Sequence, residues 1–469
     1  MTVSSAAIYV AVAIPVYLLL SSLFGRHSLR HIPTVGASSL PLLSFIGAHK
    51  FHQDAKVALQ EGYDKFKGSI FKVAMFDQWL VVINGPQLVD EVQKLPDDKA
   101  SFLEGAGELI GTKYMFDHNV HDNPYHVTLI RSQLTRNIAS VFGEIYDEID
   151  RCFDEMVGAN EKEWTPVSTI STFRHMVARV SSRVFIGEPL CHNSKYLDIS
   201  IGFTIDITRA RMIINRFPIA LKQYCHHATN DMLQWLIDEA TVRGHDNETI
   251  MAMLLIVNFA EISTTSNSLS HAVHHIAASP EITAVLREEV ERVVAEDGWT
   301  KSAMGRMRKL DSFLRESQRY NGINISSVTR QILQDVTLSN GTYLPKGTLL
   351  VTPSLATHFD DANYKDPEVF DPWRFVTMRD AGDTEGGANG NLKYQFVTTS
   401  VDHVVFGHGK HACPGRFFAV NELKAFMAYM IVNYDIKFAQ EGRLPKTTTA
   451  FLSVLPDPNA QVLFRKRVA

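Results

Sequence analysis

The sequence predicts a mainly α-helical protein with small β-sheets, preceded by an N-terminal transmembrane helix. Three observations lead to that class. From Gly85-Pro86 to about residue 300 most signals are helical, with apolar residues at helix spacing in the stretch that begins at Pro124. Short β-prone runs punctuated by Gly and Pro are confined to residues 70–85 and to the C-terminal third. The stretch from Ala6 to Phe24, AAIYVAVAIPVYLLLSSLF, carries no charge. At 469 residues and 52.6 kDa the chain can bury large cores, and 45% apolar with 21% charged residues is a globular composition. A formal charge of −5 argues against a nucleic-acid surface spread over the molecule.

The uncharged run would extend about 28 Å as a helix, enough for a hydrocarbon core. No Lys or Arg precedes it and no small-x-small cleavage site follows, which favours a retained anchor over a removed signal peptide. Arg26 and Arg30 flank it, so everything after it is expected in the cytosol. Sequons at Asn247, Asn324 and Asn340 would stay unmodified there, and Cys152, Cys191, Cys225 and Cys413 reduced. IPTVGASSLPLL, Ile32 to Leu43, reads as a stiff linker. Ile70 to Gly85 reads as two strands about Asp77-Gln78, stopped at Gly85-Pro86. A helix is expected from Pro124, turning acidic near its end. Thr249 to Ser279 is long and apolar, but Asn258 and Glu261 interrupt it, so it is expected as a central core helix. Ser279, Pro280 and Glu281 open a charged surface helix that runs to Glu296. Turns are expected at Asn340-Gly341 and Pro345-Lys346-Gly347, and a mobile glycine-rich loop from Gly382 to Asn391.

FGHGKHACPGRFFAV, Phe406 to Val420, carries the chemistry. Four scattered cysteines make neither a disulfide framework nor a zinc knuckle. Cys413 instead sits among Gly407 and Gly409, the cations Lys410 and His411, and a run expected to start a helix near Pro414. Exposed amides, a helix N-terminus and nearby positive charge all favour a thiolate. Gly415 leaves room for something flat, and a single thiolate is a sufficient protein ligand for a haem iron. A buried cysteine in a tight turn is the alternative reading of this loop alone.

The loop resembles that of cytochrome P450 monooxygenases, Phe-x-x-Gly-x-Arg/His-x-Cys-x-Gly, at Phe406, Gly409, His411, Cys413 and Gly415. Other elements follow the same order: ESQR with Glu316 and Arg319, DPWRF with Arg374, AEISTT at the oxygen-binding helix, and PYHVTLIR with Arg131. The resemblance implies a P450 fold with residues 1–25 as anchor, 26–45 as linker and 46–469 as the catalytic domain. It implies haem b on Cys413, with Phe406, Gly407 and Gly415 shaping the loop. His411, Arg131 and Arg330 would meet the propionates. Glu316, Arg319 and Arg374 would form a structural network holding the loop. Thr264 would assist proton delivery to oxygen. Two departures stand out. Val127 occupies the usual tryptophan position, and Ser263 stands where an acid is common, leaving Glu261 as the nearest carboxylate.

The implied partners are a separate NADPH-cytochrome P450 reductase, O2, an apolar substrate and membrane lipid, with cytochrome b5 as a further donor and no nucleic acid. The implied location is the endoplasmic reticulum membrane, facing the cytosol. AEISTTS, NPYHVTLIRSQLTRN and FGHGKHACPGRFFA look most similar to fungal members related to ent-kaurene oxidases, which points to a terpenoid or similar secondary metabolite, with Phe259, Ile262 and the loop from Gly322 to Thr329 facing it. Three alternatives stay open: a haem-thiolate isomerase or dehydratase, a peroxide-using hydroxylase with Glu261 as acid, and a non-enzymatic membrane haem carrier or sensor.

Overall fold

The β-prone run at residues 70–85 folds as two strands, 70–74 and 79–83, because every side chain of those two segments can be buried. A computed structural model of the protein describes residues 29–36, 43–115, 124–216, 247–386, 390–439 and 444–468. Strands β1 (Ile70–Ala74) and β2 (Trp79–Ile83) pair antiparallel, Ile70 opposite Ile83, with the turn at Asp77-Gln78 between them. They belong to a five-stranded sheet ordered β1-β2-β8-β5-β3, with β3 at Ala100–Ser101, β5 at Ser327–Ile332 and β8 at Leu349–Thr352. Alternate residues feed two cores: Ile70, Trp79, Val81 and Ile83 on one face, Phe71, Val73, Leu80 and Val82 on the other. Phe71 and Leu80 are fully buried, worth about 1.5–3 kcal/mol each relative to exposure.

The remaining strands are short. β4 (Thr165–Ser168), β12 (Gln461–Lys466) and β9 (Tyr434–Lys437) form a three-stranded sheet. β6 (Val336–Thr337) and β7 (Tyr343–Leu344) form a hairpin across the Asn340-Gly341 turn, where Gly341 has φ 82°. β10 (Thr448–Ala450) pairs with β11 (Ser453–Leu455).

The helices that matter to function are α1 (Pro86–Lys94), α2 (Phe102–Ile110), α3 (Tyr125–Leu129), α4 (Thr135–Cys152), α5 (Thr169–Phe185), α6 (Ser194–Ile214), α7 (Asn247–Ala278), α8 (Pro280–Asp297), α9 (Arg308–Asn321), α10 (Arg374–Gly386) and α11 (Arg416–Asn433). The expected helix from Pro124 is interrupted: a π-helical turn, Ile130–Leu134, joins α3 to α4 and carries Arg131. The main apolar core gathers α4, α5, α7, α8, α9 and α11, with Phe142, Phe173, Leu269, Phe313 and Phe426 inside it. Residues 374–386 are helical where a glycine-rich loop was expected to begin at Gly382. The start of α10 is tied down, since Ser312 Oγ accepts from the Phe375 and Val376 amides and Arg379 pairs with Asp311, so further turns add at low cost.

The expected fold class needs one correction. Among the described residues no helix is long and apolar enough to cross a membrane. The mainly α fold with small sheets stands; the preceding transmembrane helix, the membrane and endoplasmic-reticulum placement and the lipid contact are not carried forward. At about 48 Å, α7 has the length, but its polar side chains turn inward to protein partners: Asn258 donates to Tyr196 Oη, and His274 bonds Thr169. The run 6–24 on which the expectation rested lies outside the described residues, as do residues 26–28 and 37–42 of the linker.

Candidate active site

Glycine sets the geometry of the cysteine loop. Gly407 and Gly409 have φ of 70° and 72°, a region that side chains disfavour. A Cβ on Gly409 would also fall 1.7 Å from Gln93 Oε1 of α1. The chain then turns through Gly409–His411, and Cys413 N–H donates to Phe406 O at 2.7 Å, closing the loop on itself. Gly415 caps α11, and a Cβ there would meet Ile130 at 3.7 Å, so the bare glycine faces the π turn.

Burial pushes the Cys413 thiol up, while the amides of Gly415 and Arg416 and the Arg416 guanidinium pull it down. The cation beside the sulfur is therefore Arg416, which follows the motif, and not Lys410 or His411. Those two turn to Asp97: Lys410 Nζ lies 2.9 Å and His411 Nε2 2.6 Å from Asp97 Oδ1. The His411 ring also stacks on Phe102 of α2, and burial holds its pKa below the ordinary histidine value despite Asp97.

Arg131 reaches the same loop and donates from Nη2 to Lys410 O at 3.2 Å. Arg330, on β5, is 1% exposed and lies over the Phe102 ring. Its Nη1 donates to Thr329 O, but Nε and Nη2 are buried and meet no partner among the described residues. Such donors cost about 1–3 kcal/mol each if left unmade. His126 on α3 adds a buried ring nitrogen, Nδ1, that meets no partner among the described residues. Sequence reading passed over His126, although it stands beside Val127 in PYHVTLIR; a polar ring next to a missing tryptophan was the available signal. These orphaned polar atoms and the cations that gather on the cysteine loop fit a flat, doubly anionic group that Cys413 would ligate.

The charge network is fully formed. Arg319 donates to Glu316 from Nε and Nη2 at 2.7 and 2.8 Å, and Arg374 Nε lies 3.1 Å from Glu316 Oε2. Arg319 also donates to His358 O, and His358 Nε2 accepts from the amide of Val404, two residues before Phe406. The network thus reaches the cysteine loop through hydrogen bonds.

On α7, Thr264 Oγ1 donates to Ala260 O at 2.8 Å, and the helix carries further back-bonds from Ser266, Ser268 and Ser270. Thr264 and Ser263 are partly exposed, whereas Glu261 is buried and faces α5 and α11. Spacing in sequence brings Glu261 near the Thr264 face, but the fold turns its carboxyl elsewhere. Ile262, expected to face substrate, is fully buried against Ala178, Leu197 and Ile201. Phe259 does lie in a partly open apolar group with Ile110, Met115, Phe203, Ile207 and Leu255. A separate group, Glu148, Cys191 and His192, brings ligand atoms within 4.8 Å of one another, but Glu148 is already paired with Arg179. It is built from α4 and the turn at Leu190–His192, apart from the Cys413 loop.

Comparisons with known proteins bear on the whole arrangement. The family described as Cytochrome P450 matches residues 205–464. The chain is 41% identical to Cytochrome P450 monooxygenase 151 of Postia placenta, covering 98% of each protein. It is 35% identical to Cytochrome P450 monooxygenase CYP512U6 of Ganoderma lucidum, covering 93% of this chain and 92% of that one. Among solved structures, a cyanobacterial CYP120A1 with retinoic acid bound is similar in fold, with a TM-score of 0.68 at 21% identity over 93% of this chain and all of that one.

Proposed function

The chain belongs to the cytochrome P450 family and is a monooxygenase of that class, and on that premise we propose that it oxidises an apolar secondary metabolite, a terpenoid, with O2 and electrons from a separate NADPH-dependent flavoprotein reductase. The carrying observation is the Cys413 loop, with its sulfur just before α11 and Arg330, two of whose guanidinium nitrogens meet no partner among the described residues, acting on His411 of the same loop. Support for an apolar substrate comes from the partly open group at α2, α6 and α7, whose members Ile110, Met115, Ile256 and Phe259 bear no charge.

Cys413 would ligate haem b, with Arg131, Arg330 and His411 pairing with the propionates and His126 supplying the donor that Val127 does not. Phe406, Gly407 and Gly415 shape the loop that presents the sulfur. Bound there, the haem supplies oxygen activation and the oxidation of a C–H bond. The chain's own part is to hold and move protons. Thr264 carries a hydroxyl proton on the open side of α7, Ser263 stands beside it, and Glu261 is the buried acid of the same turn. Glu316, Arg319 and Arg374 keep the loop in place without touching the reaction.

Incubation of the full chain with reductase, NADPH and a panel of terpenoid scaffolds, read by mass spectrometry, tests the proposal. Products gaining oxygen only when both reductase and NADPH are present are expected. Turnover without them, or a change of skeleton without added oxygen, overturns it.

A further inference from the structure

Three helices converge behind the Thr264 turn, and each brings a polar group to the same buried spot. From α7 come Glu261 and Thr265; from α11, which starts beside Cys413, comes Glu422; from α5 comes Ser181. Ser181 Oγ donates to Glu422 Oε1 at 3.0 Å. The other Glu422 oxygen, both oxygens of Glu261 and the Thr265 hydroxyl are buried and make no well-aligned hydrogen bond among the described residues, although Glu422, Ser181 and Thr265 all lie close enough to Glu261 to act on its carboxyl. Glu422 is fully buried, Thr265 1% exposed and Glu261 8% exposed. The two carboxyls lie within each other's hydrogen-bonding reach.

Among the described residues no cation acts on either carboxyl, and the neighbouring ones on these helices pair elsewhere. On α5, Arg179 pairs with Glu148 and Glu155, and Arg183 with Glu188. On α11, Lys424 pairs with Asp311. Further along α7, His271 and His274 are held near pKa 3 and 4 by burial, so they carry no charge at neutral pH. Two carboxylates facing each other in a buried site, with no cation acting on them among the described residues, repel unless a proton lies between them.

We propose that Glu261 and Glu422 share one proton, so that the acid of the oxygen-side turn is a carboxyl pair bridging α7 to the helix that follows the cysteine. This deepens the reading of Glu261 given above and rests on it for its bearing on catalysis. Glu422 is a positioning residue. Its carboxyl keeps a proton on the pair and turns Glu261 away from the Thr264 hydroxyl, fixing the Ala260–Thr265 turn against α11. Burial and the facing charge both raise the proton affinity, and the pair titrates as a unit.

Infrared difference spectroscopy of the holoenzyme tests the pair directly. The wild type minus the Glu261→Gln/Glu422→Gln double variant should show the carbonyl stretch of a protonated carboxyl, still present at neutral pH and moving on deuteration. Glu422→Gln alone should shift or remove that band, because Glu261 then meets an amide donor. A difference spectrum with carboxylate bands only overturns the proposal, and so does a band that Glu422→Gln leaves unmoved, which would mean that Glu261 holds its proton alone. Should the variants fail to accumulate, the pH titration of the exchangeable carboxyl bands of the wild type decides, and the absence of any protonated carboxyl at neutral pH overturns the pair. The reduced carbon-monoxide spectrum is recorded on every sample. If the wild type lacks the thiolate-ligated haem band, the functional reading fails while the carboxyl pair stands or falls on its own spectrum.

Discussion

At the scale of the residue, the site depends on a few groups whose protonation the fold controls. Cys413→Ala should remove the red-shifted band of the reduced carbon-monoxide complex, because no other side chain on the loop offers a thiolate; an unchanged band would refute the ligand assignment. Thr264→Ala should lower reductase-driven product formation about 10-fold or more, the usual worth of a positioned proton-transfer group. Peroxide released per NADPH should rise with it, and normal coupling would rule out a role for the hydroxyl. The carboxyl pair has a consequence for stability. The Glu422 pKa is raised well above the ordinary carboxylate value, so the native state holds a proton that the unfolded chain releases. That contribution is fully present below the unfolded pKa and is lost as pH rises through the folded one. Thermal midpoints should therefore fall more between pH 5 and 8 for the wild type than for the double glutamine variant; parallel profiles would contradict the raised affinity.

At the scale of the element, α2 and β5 are clamped together by a missing side chain. A Cβ on Gly105 would lie 2.7 Å from the backbone carbon of Arg330 and 2.8 Å from the Gln331 nitrogen. Backbone cannot swing aside as a side chain can, so Gly105→Ala must push α2 off the strand that carries Arg330. Overpacking of this kind costs about 1–3 kcal/mol. The expected outcome is a lower thermal midpoint together with weaker haem retention, measured by haem loss to an acceptor protein. A lower midpoint with unchanged retention would separate α2 from the site. The π turn at Ile130–Leu134 is a second such element, since it rotates Arg131 toward Lys410 O where an unbroken helix would set a different face.

At the scale of the whole molecule, distant segments are joined by the Glu316 network. Glu316→Ala would leave Arg319 and Arg374 buried and facing each other without a counter-charge, and breaking a buried pair in this way costs about 3–5 kcal/mol. Most of the chain should then fail to retain haem, whereas Glu316→Asp should recover part of it by restoring the charge at a shorter reach. Full haem content in the alanine variant would show that the cysteine loop holds itself. The link runs from α9 through His358 to Val404 and so joins segments more than eighty residues apart.

The sequence by itself determined the elements whose signals are local. Glycines at 407 and 409 set the loop, Pro280 opens α8, the Asn340-Gly341 turn makes a hairpin, and i, i+3 spacing puts Glu316 and Arg319 on one helix face. Motif order across the chain was enough to expect the family, because each motif is a short run whose chemistry does not need the others to be recognised. Tertiary structure alone decided what lies across from each side chain. It turned Lys410 and His411 to Asp97, left Arg416 beside the sulfur, buried Ile262 away from the open apolar group, and brought Glu422 to Glu261. Residues 261 and 422 belong to different helices, and no periodicity within either segment encodes their meeting. Packing α7 against α5 and α11 excludes water from that spot, and the loss of water is what turns two ordinary glutamates into a pair that must keep a proton.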